Sequence, residues 1–189
     1  VPSFCEHSPI EGVALLPAAL DKLVGIYLLA RIMNRIFILP YFINIIVMVI
    51  GALTIITAVM MALVQHNGRK LLGYHAVSQV GYMILGIGTG SPVGIMGGLF
   101  HMVNHAIYKA NLFLSLGSVE KRTGTAELDE IGGLAKVMPW TFLSSLVGAL
   151  AISGLPPFNG FVSKWLIYQS LVMGAQDKPE WLQIIFLLQ

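Results

Sequence analysis

The chain is 189 residues long, 56% hydrophobic and only 11% charged, with a mean hydropathy of +0.80. Soluble domains carry roughly a quarter of their residues as charged side chains, so this balance excludes an ordinary water-soluble globule and points to an integral membrane protein. The formal net charge of +2 is too small to suggest a nucleic-acid partner, and a single cysteine, Cys5, excludes an internal disulfide and any cysteine-based metal or iron–sulfur site.

A bilayer core about 30 Å thick takes roughly 20 apolar residues per helix. In chain order, the first candidate span is "GVALLPAALDKLVGIYLLARIM", 12–33, with Arg31 and Arg35 at its far end. The second, "YFINIIVMVIGALTIITAVMMALV", 41–64, carries no charge and is the clearest. A third covers 71–88 and a fourth 94–117, followed by a polar stretch, "SVEKRTGTAELDEIGGLAKVM", 118–138. The next apolar segment, 139–174, is interrupted near 154–160 by Pro156, Pro157, Asn159 and Gly160, and another span would start at 181–189. Each half of the interrupted segment is short for a bilayer crossing, so it reads as one span broken in the middle. A break in lipid leaves backbone groups unpaired unless protein or water meets them, which places such breaks beside cavities. The chain starts at Val1 without a signal-peptide pattern and ends in an apolar run, "WLQIIFLLQ", and so reads as an internal piece of a longer polypeptide. The expected fold is an all-α, polytopic transmembrane bundle with one discontinuous helix, a single membrane domain over 1–189.

Alternating spans put the loops at 65–70 and 118–138 on one side, with Arg69, Lys70, Lys121, Arg122 and Lys136. Arg31, Arg35 and Lys178 lie on the other, and the basic excess makes the first side cytoplasmic. Tyrosines and tryptophans near span ends fit an aromatic belt.

Ionisable groups sit where lipid should be: Asp21, Lys22, His75, His101, His105, Lys109 and Lys164. A lysine at mid-bilayer costs about 2.5–3.5 kcal/mol, so such groups face a bundle interior or a wet cavity and mark ion or proton routes. His101, His105 and Lys109 are spaced i, i+4, i+8, one stripe of a helix covering roughly 12 Å. Imidazole titrates near neutrality, and a buried lysine is cationic when loaded and neutral when empty, so the row can hand on a proton through rotamer changes and water. His-x-x-x-His is also a zinc pair, but no His-Glu-x-x-His pattern and no nearby carboxylate or cysteine supplies a third ligand. Alternatively, His101 and Lys109 bond the backbone of neighbouring helices. Lys164 follows the break, where it could meet water and free carbonyls, or it could snorkel to the interface. Asp21 adjoins Lys22, but adjacent helical residues point apart, so the two do not read as partners, and a structural or tuning role suits Asp21 better than direct transport. His75 fits a satisfied interfacial histidine as well as a relay member. His66 and His7 read as solvated loop residues.

Four stretches together, "ALDKLVGIYLLAR", "RKLLGYHAVSQVGYM", "FHMVNHAIYKANLFL" and "GLPPFNGFVSKWLIY", resemble the antiporter-like membrane subunits of respiratory complex I. The same family occurs in Mrp-type cation/proton antiporters and energy-converting membrane-bound [NiFe] hydrogenases, and the wording here is most similar to the hydrogenase branch. The resemblance implies a subunit of about fourteen helices built on two inverted repeats, each with a broken helix. This chain would hold the end of the first repeat and most of the second. Lys22 then matches the family's central lysine; His101, His105 and Lys109 match the connecting row of the second half-channel. Lys164 matches the lysine of the second broken helix, where other members carry glutamate. The remaining family glutamate and lysine lie upstream, so this piece holds half of the expected pathway. One departure is "QHNGRK": Asn67 stands where the family usually places an acidic residue, which puts anchoring of that loop in question.

The expected role is a proton-translocating inner-membrane subunit of a complex I-like oxidoreductase, of hydrogenase or NADH-quinone type. Its pathway would be Lys22, His101, His105, Lys109 and Lys164, with Asp21 and His75 as tuning residues. No redox site is expected in this chain; flavin, iron–sulfur or nickel–iron centres would belong to partner subunits. The expected partners are other membrane subunits, the lipid bilayer and protons or sodium, and no nucleic acid. An Mrp-type sodium/proton antiporter subunit is the nearest alternative. A structural scaffold would tolerate leucine at 101, 105 and 109, and a membrane hydrolase would need a zinc or acyl-transfer constellation that the sequence lacks.

Overall fold

The computed structural model describes residues 1–16, 20–37 and 40–176, apart from the side chains of Asp21, Ala175 and Gln176. The span expected from 181 therefore lies outside the described residues. Among those residues the chain is helical without a β-strand: α1 (Pro2–His7), α2 (Ile10–Leu15), α3 (Asp21–Arg31), α4 (Tyr41–Leu63), α5 (Gly68–Gly88), α6 (Pro92–Thr123), α7 (Pro139–Ser153) and α8 (Asn159–Gln176). A π-helical turn, Ile32–Ile36, extends α3, and two short 3₁₀ turns lie at Leu128–Glu130 and Leu134–Lys136.

Local chemistry sets the ends. Pro92 and Pro139 stand in the first turns of α6 and α7, where a missing N–H costs nothing. Ser91 caps α6 by accepting from the amide of Gly94 at 3.0 Å. Gly124 and Gly154 end α6 and α7 with φ of +82° and +78°, a conformation that side chains other than glycine rarely adopt. α6 runs to Thr123, six residues into the stretch read from sequence as loop, so its 32 residues stand roughly 48 Å long. That length exceeds a hydrocarbon core of about 30 Å, and the last turn carries the charges of Lys121 and Arg122.

By length and apolar composition alone, α4 is the single described helix that qualifies as a membrane span. α5 and α6 dilute their apolar residues with glycine, histidine, asparagine and lysine, and turn those inward. The buried set includes Lys22, Gln79, His101, Asn104, His105, Lys109 and Ser163, while Ile50, Leu53, Ile56, Met60, Ile107, Trp140 and Trp165 are exposed. A protein in water does the reverse. Polar inside and apolar outside is the arrangement that suits lipid, and it agrees with the composition: this is an integral membrane chain.

α6 is the packing centre. On one side α2 and α3 follow it, with Ile10 against Gly117, Val13 and Ala14 clustered with Phe113, and Ile26 and Ala30 clustered with Met102. On another, α7 and α8 follow one after the other: Gly148 meets Asn111, Asn159 bonds Asn104, and Gly97 meets Ile167. The segment read as 139–174 is thus two helices separated by 154–158, laid along a single neighbour. α5 packs between α4 and α6, and its approach to α4 is close enough to demand glycine. A Cβ on Gly81 would lie 2.7 Å from the Gly51 carbonyl oxygen and 2.7 Å from Ile55 Cγ1. Small residues let helix backbones meet in lipid, where contact area rather than water exclusion drives association.

The loop after α6 is tied to the start of α5 by an isolated antiparallel bridge between Asn67 and Glu127. The Leu128 amide donates to the His66 carbonyl and the Gly68 amide to the Ala126 carbonyl, both at 2.9 Å. Asn67 caps α5, its Oδ1 accepting from the amides of Arg69 and Lys70, while its Nδ2 donates to Glu127 Oε1 at 2.8 Å. The doubt raised by the missing acidic residue is resolved: a carboxamide caps the helix and also holds Glu127, which a carboxylate could not do. His66, expected to be a solvated loop residue, is exposed but paired with Asp129 at 2.8 Å.

Candidate functional site

His101, His105 and Lys109 lie on the inward stripe of α6 and all three are fully buried, at 0% exposure. The i, i+4, i+8 spacing keeps them on one face, and the helices around α6 shut that face from the surroundings. Their surroundings differ sharply along the row.

His101 is saturated. Its Nδ1 lies 2.9 Å from Ser163 Oγ of α8 and its Nε2 3.0 Å from Gln79 Oε1 of α5. The Tyr108 hydroxyl reaches the same Nε2 at 3.5 Å, and the Tyr82 ring centroid lies 5.9 Å away. All three partners of His101 are side chains, so the alternative that it bonds neighbouring backbone does not hold. His105 and Lys109 are the opposite case: neither ring nitrogen of His105 nor Lys109 Nζ has a hydrogen-bonding protein partner among the described residues. His105 lies edge-on to Tyr108 with centroids 5.4 Å apart, and Lys109 Nζ stands 5.8 Å from the Phe113 ring centroid. Buried polar atoms without partners are rare and costly, so each needs an explanation.

Lys22, from α3, is buried at 7% exposure. Its charge acts on both His105 and Lys109. A cleft of about 290 Å³, lined by Lys22, Val1, Gly25, Ile26, Val77 and Val80, opens beside it. The side chain of Asp21 lies outside the described residues. His75, one turn before Gln79 on α5, is half-buried; its Nδ1 is enclosed without a partner among the described residues, and the charges of Lys109 and Lys164 reach it.

Lys164 is half-buried beside the break. Its Nζ donates to the Ile152 carbonyl at 2.8 Å, near the end of α7, and stands 4.9 Å from the Tyr82 ring centroid. It therefore turns to a backbone carbonyl at the interruption and does not extend toward a headgroup. Tyr82 lies between it and His101. The break is held to α6 by a reciprocal pair: Asn159 Nδ2 donates to Asn104 Oδ1 at 3.0 Å, and Asn104 Nδ2 donates to the Asn159 carbonyl at 3.2 Å.

Along α6 the row runs His101, His105, Lys109; Lys164 and His101 both contact Tyr82, the charge of Lys22 acts on His105 and Lys109, and those of Lys109 and Lys164 act on His75. Among the described residues, no group of three or more His, Cys, Asp or Glu side chains could hold a metal ion. What the arrangement can do is store and pass a positive charge. Each basic group lies within electrostatic reach of the next, so a proton on one disfavours a proton on its neighbour.

The transmembrane family described as NADH:quinone oxidoreductase/Mrp antiporter matches residues 1–188. The chain belongs to this family. It is 39% identical to formate hydrogenlyase subunit 3 of Escherichia coli K12 over 142 residues, covering 69% of this chain and 23% of that protein. It is 36% identical to a Na(+)/H(+) antiporter subunit of Alkalihalophilus pseudofirmus over 160 residues, covering 84% of this chain and 32% of that protein. The structure superposes on a chain of the membrane-bound sulfane sulfur reductase, an archaeal respiratory membrane complex, with a TM-score of 0.84 at 30% identity. That match covers 99% of this chain and 38% of the other. The chain thus spans about a quarter to a third of the length of these curated relatives. The resemblance drawn from the four signature stretches stands.

Several residues around this row were not singled out from sequence, and Asn159 was read only as part of the interruption. Gln79 and Ser163 are single polar residues in apolar helices, 22 and 62 positions from His101 in the chain. Asn104 and Asn159 meet across 55 positions. The available signal was adjacency: Gln79 is one turn after His75, Ser163 precedes Lys164, and Asn104 falls three residues after His101.

Proposed function

We propose that this chain is part of a proton-translocating, antiporter-like subunit of a complex I-like membrane oxidoreductase, of hydrogenase or NADH-quinone type. The observation that carries the reading is the row of fully buried basic side chains on α6, two of them without hydrogen-bonding protein partners among the described residues. A fold does not maintain such groups in an apolar bundle for stability. In this reading, protons pass along Lys164, His101, His105, Lys109 and Lys22, with His75 and Asp21 tuning the charge balance. Occupancy at one site repels charge at the next and so sets direction when the complex changes state. The cleft beside Lys22 supports continuation of the route into further helices of the subunit. The successive contacts of α7 and α8 along α6 support reading them as one discontinuous span, within a single membrane domain built as part of an inverted repeat. The complex sits in the cell (inner) membrane, with the 65–70 and 118–138 loops cytoplasmic. Other membrane subunits are its partners, and flavin, iron–sulfur or nickel–iron centres belong to them.

The test is Lys164→Ala in the assembled complex reconstituted into vesicles. Proton movement is expected to be lost while the complex still assembles; full pumping would falsify the role assigned to Lys164.

A second reading, an Mrp-type sodium/proton antiporter subunit, is supported equally by the 36% identity to the Alkalihalophilus pseudofirmus antiporter protein. Sodium prefers oxygen ligands, which the basic row does not offer but other parts of a longer subunit could. Proton movement that needs sodium in the vesicle lumen identifies this second case; sodium-independent movement identifies the first.

A further inference from the structure

The Ser163 hydroxyl is bonded to a member of the basic row, His101, and is fully buried. Its oxygen lies 2.9 Å from His101 Nδ1, 3.1 Å from the Gly160 carbonyl and 3.5 Å from the Asn159 carbonyl. A hydroxyl has one hydrogen, so it can donate to the imidazole or to the helix backbone, but not to both. On the other side of the ring, Gln79 Oε1 can only accept, so Nε2 carries a hydrogen. In neutral His101, Nδ1 is then the bare nitrogen and Ser163 donates to it. When Nδ1 gains a proton, the direction must reverse: Nδ1–H donates to Ser163 Oγ, and the hydroxyl hydrogen turns to the Gly160 carbonyl. Both protonation states keep every polar atom of the pair satisfied, and the only movement is a rotation about one C–O bond.

We propose that Ser163 is the positioning residue that allows His101 to accept and release a proton, its hydroxyl switching between the imidazole and the carbonyl at the start of α8. The inference deepens the proton-translocating reading and rests on it. The proton is taken up at Nδ1 and given back from Nδ1, while Nε2 keeps its hydrogen on Gln79 Oε1 throughout; nothing else is consumed. The location explains why the hydroxyl comes from α8. The Asn104–Asn159 pair fixes the first turn of that helix on α6, and this holds Gly160 and Ser163 at the ring. The charged and titratable groups facing His101 are Lys164 on α8, Tyr82 on α5, and Tyr108 and His105 on its own helix. None of them is placed to replace the hydroxyl at Nδ1.

The experiment compares Ser163→Ala and Ser163→Thr in the assembled complex, measuring proton uptake by vesicles and assembly by native gel. Alanine removes the partner of Nδ1 in both states, and transport is expected to fall on the order of ten-fold, as for loss of one hydrogen bond to a charged group. Threonine keeps a hydroxyl able to bond the carbonyl three or four residues back, so transport is expected within about two-fold of the parent. Full transport in Ser163→Ala, or equal loss in both variants of an assembled complex, overturns the proposal. If the alanine variant does not assemble, Ser163→Cys keeps the volume and weakens the donor, and an undiminished rate there overturns it too. His101→Leu separates the two ideas. Loss of transport in His101→Leu beside a fully active Ser163→Ala removes Ser163 and leaves the row intact, whereas full transport in His101→Leu removes the row itself.

Discussion

Replacing Lys109 by methionine separates a functional lysine from a structural one, because the two roles move stability in opposite directions. Lys109 Nζ is fully enclosed, has no hydrogen-bonding protein partner among the described residues, and stands 5.8 Å from the centre of the Phe113 ring. The charge of Lys22 acts on it as well. Methionine keeps an unbranched stem of similar length and fills the same space. It removes a group whose placement at mid-bilayer costs about 2.5–3.5 kcal/mol. Part of that cost is recovered by the Phe113 contact, worth roughly 0.5–2 kcal/mol. The folded complex is therefore expected to gain about 0.5–3 kcal/mol, overlapping the range seen when buried charges give way to well-packed apolar residues. Transport moves the other way. Neighbouring sites of the row are one helical turn, about 6 Å, apart along the axis, and a proton hop spans about 3 Å, or one water more. Deleting Nζ replaces the titratable group one turn beyond His105 by carbon, and proton uptake is expected to fall by about a hundred-fold or more. The assay pairs vesicle proton uptake with the thermal midpoint of the purified complex. A variant that pumps at the parental rate refutes the reasoning, and so does one that is destabilised by several degrees.

Two further outcomes follow from the packing. Gly81→Leu drives a side chain into the Gly51 carbonyl and Ile55, both 2.7 Å from a Cβ there; it is expected to cost at least 1–3 kcal/mol, read as loss of assembled complex from the membrane. Asn67→Asp keeps the cap of α5 but places a carboxylate where the carboxamide now donates to Glu127 at 2.8 Å; two like charges at about 4 Å repel by roughly 1–4 kcal/mol for effective dielectrics between 80 and 20. Faster hydrogen exchange at the Gly68 and Leu128 amides is the expected readout. Adding Glu127→Gln should restore protection, and no restoration would show that the pair is not the tether.

Much of this protein is legible in the residues alone, for a physical reason in each case. An uncharged apolar run such as 41–64 can only be a span or a buried core helix, because hydropathy is summed locally. The stripe of His101, His105 and Lys109 follows from helical periodicity, which needs no neighbour to be read. Gly124 ending α6 and Pro139 opening α7 are likewise local matters of backbone geometry. The extent of α6 was harder to read: five of its last six residues are polar, and a polar helix end carries no hydropathy signal.

The tertiary structure decided how the row is supported. Which groups complete His101, that Lys164 turns to the Ile152 carbonyl, that Asn104 and Asn159 lock the break to α6, and that Asn67 holds Glu127 all depend on helices far apart in sequence. A single serine, glutamine or asparagine in an apolar helix has no period, so its spacing says nothing about its partner. Local rules determined that basic side chains lie within apolar helices; only the packing of α3, α5 and α8 around α6 determined which groups surround each of them.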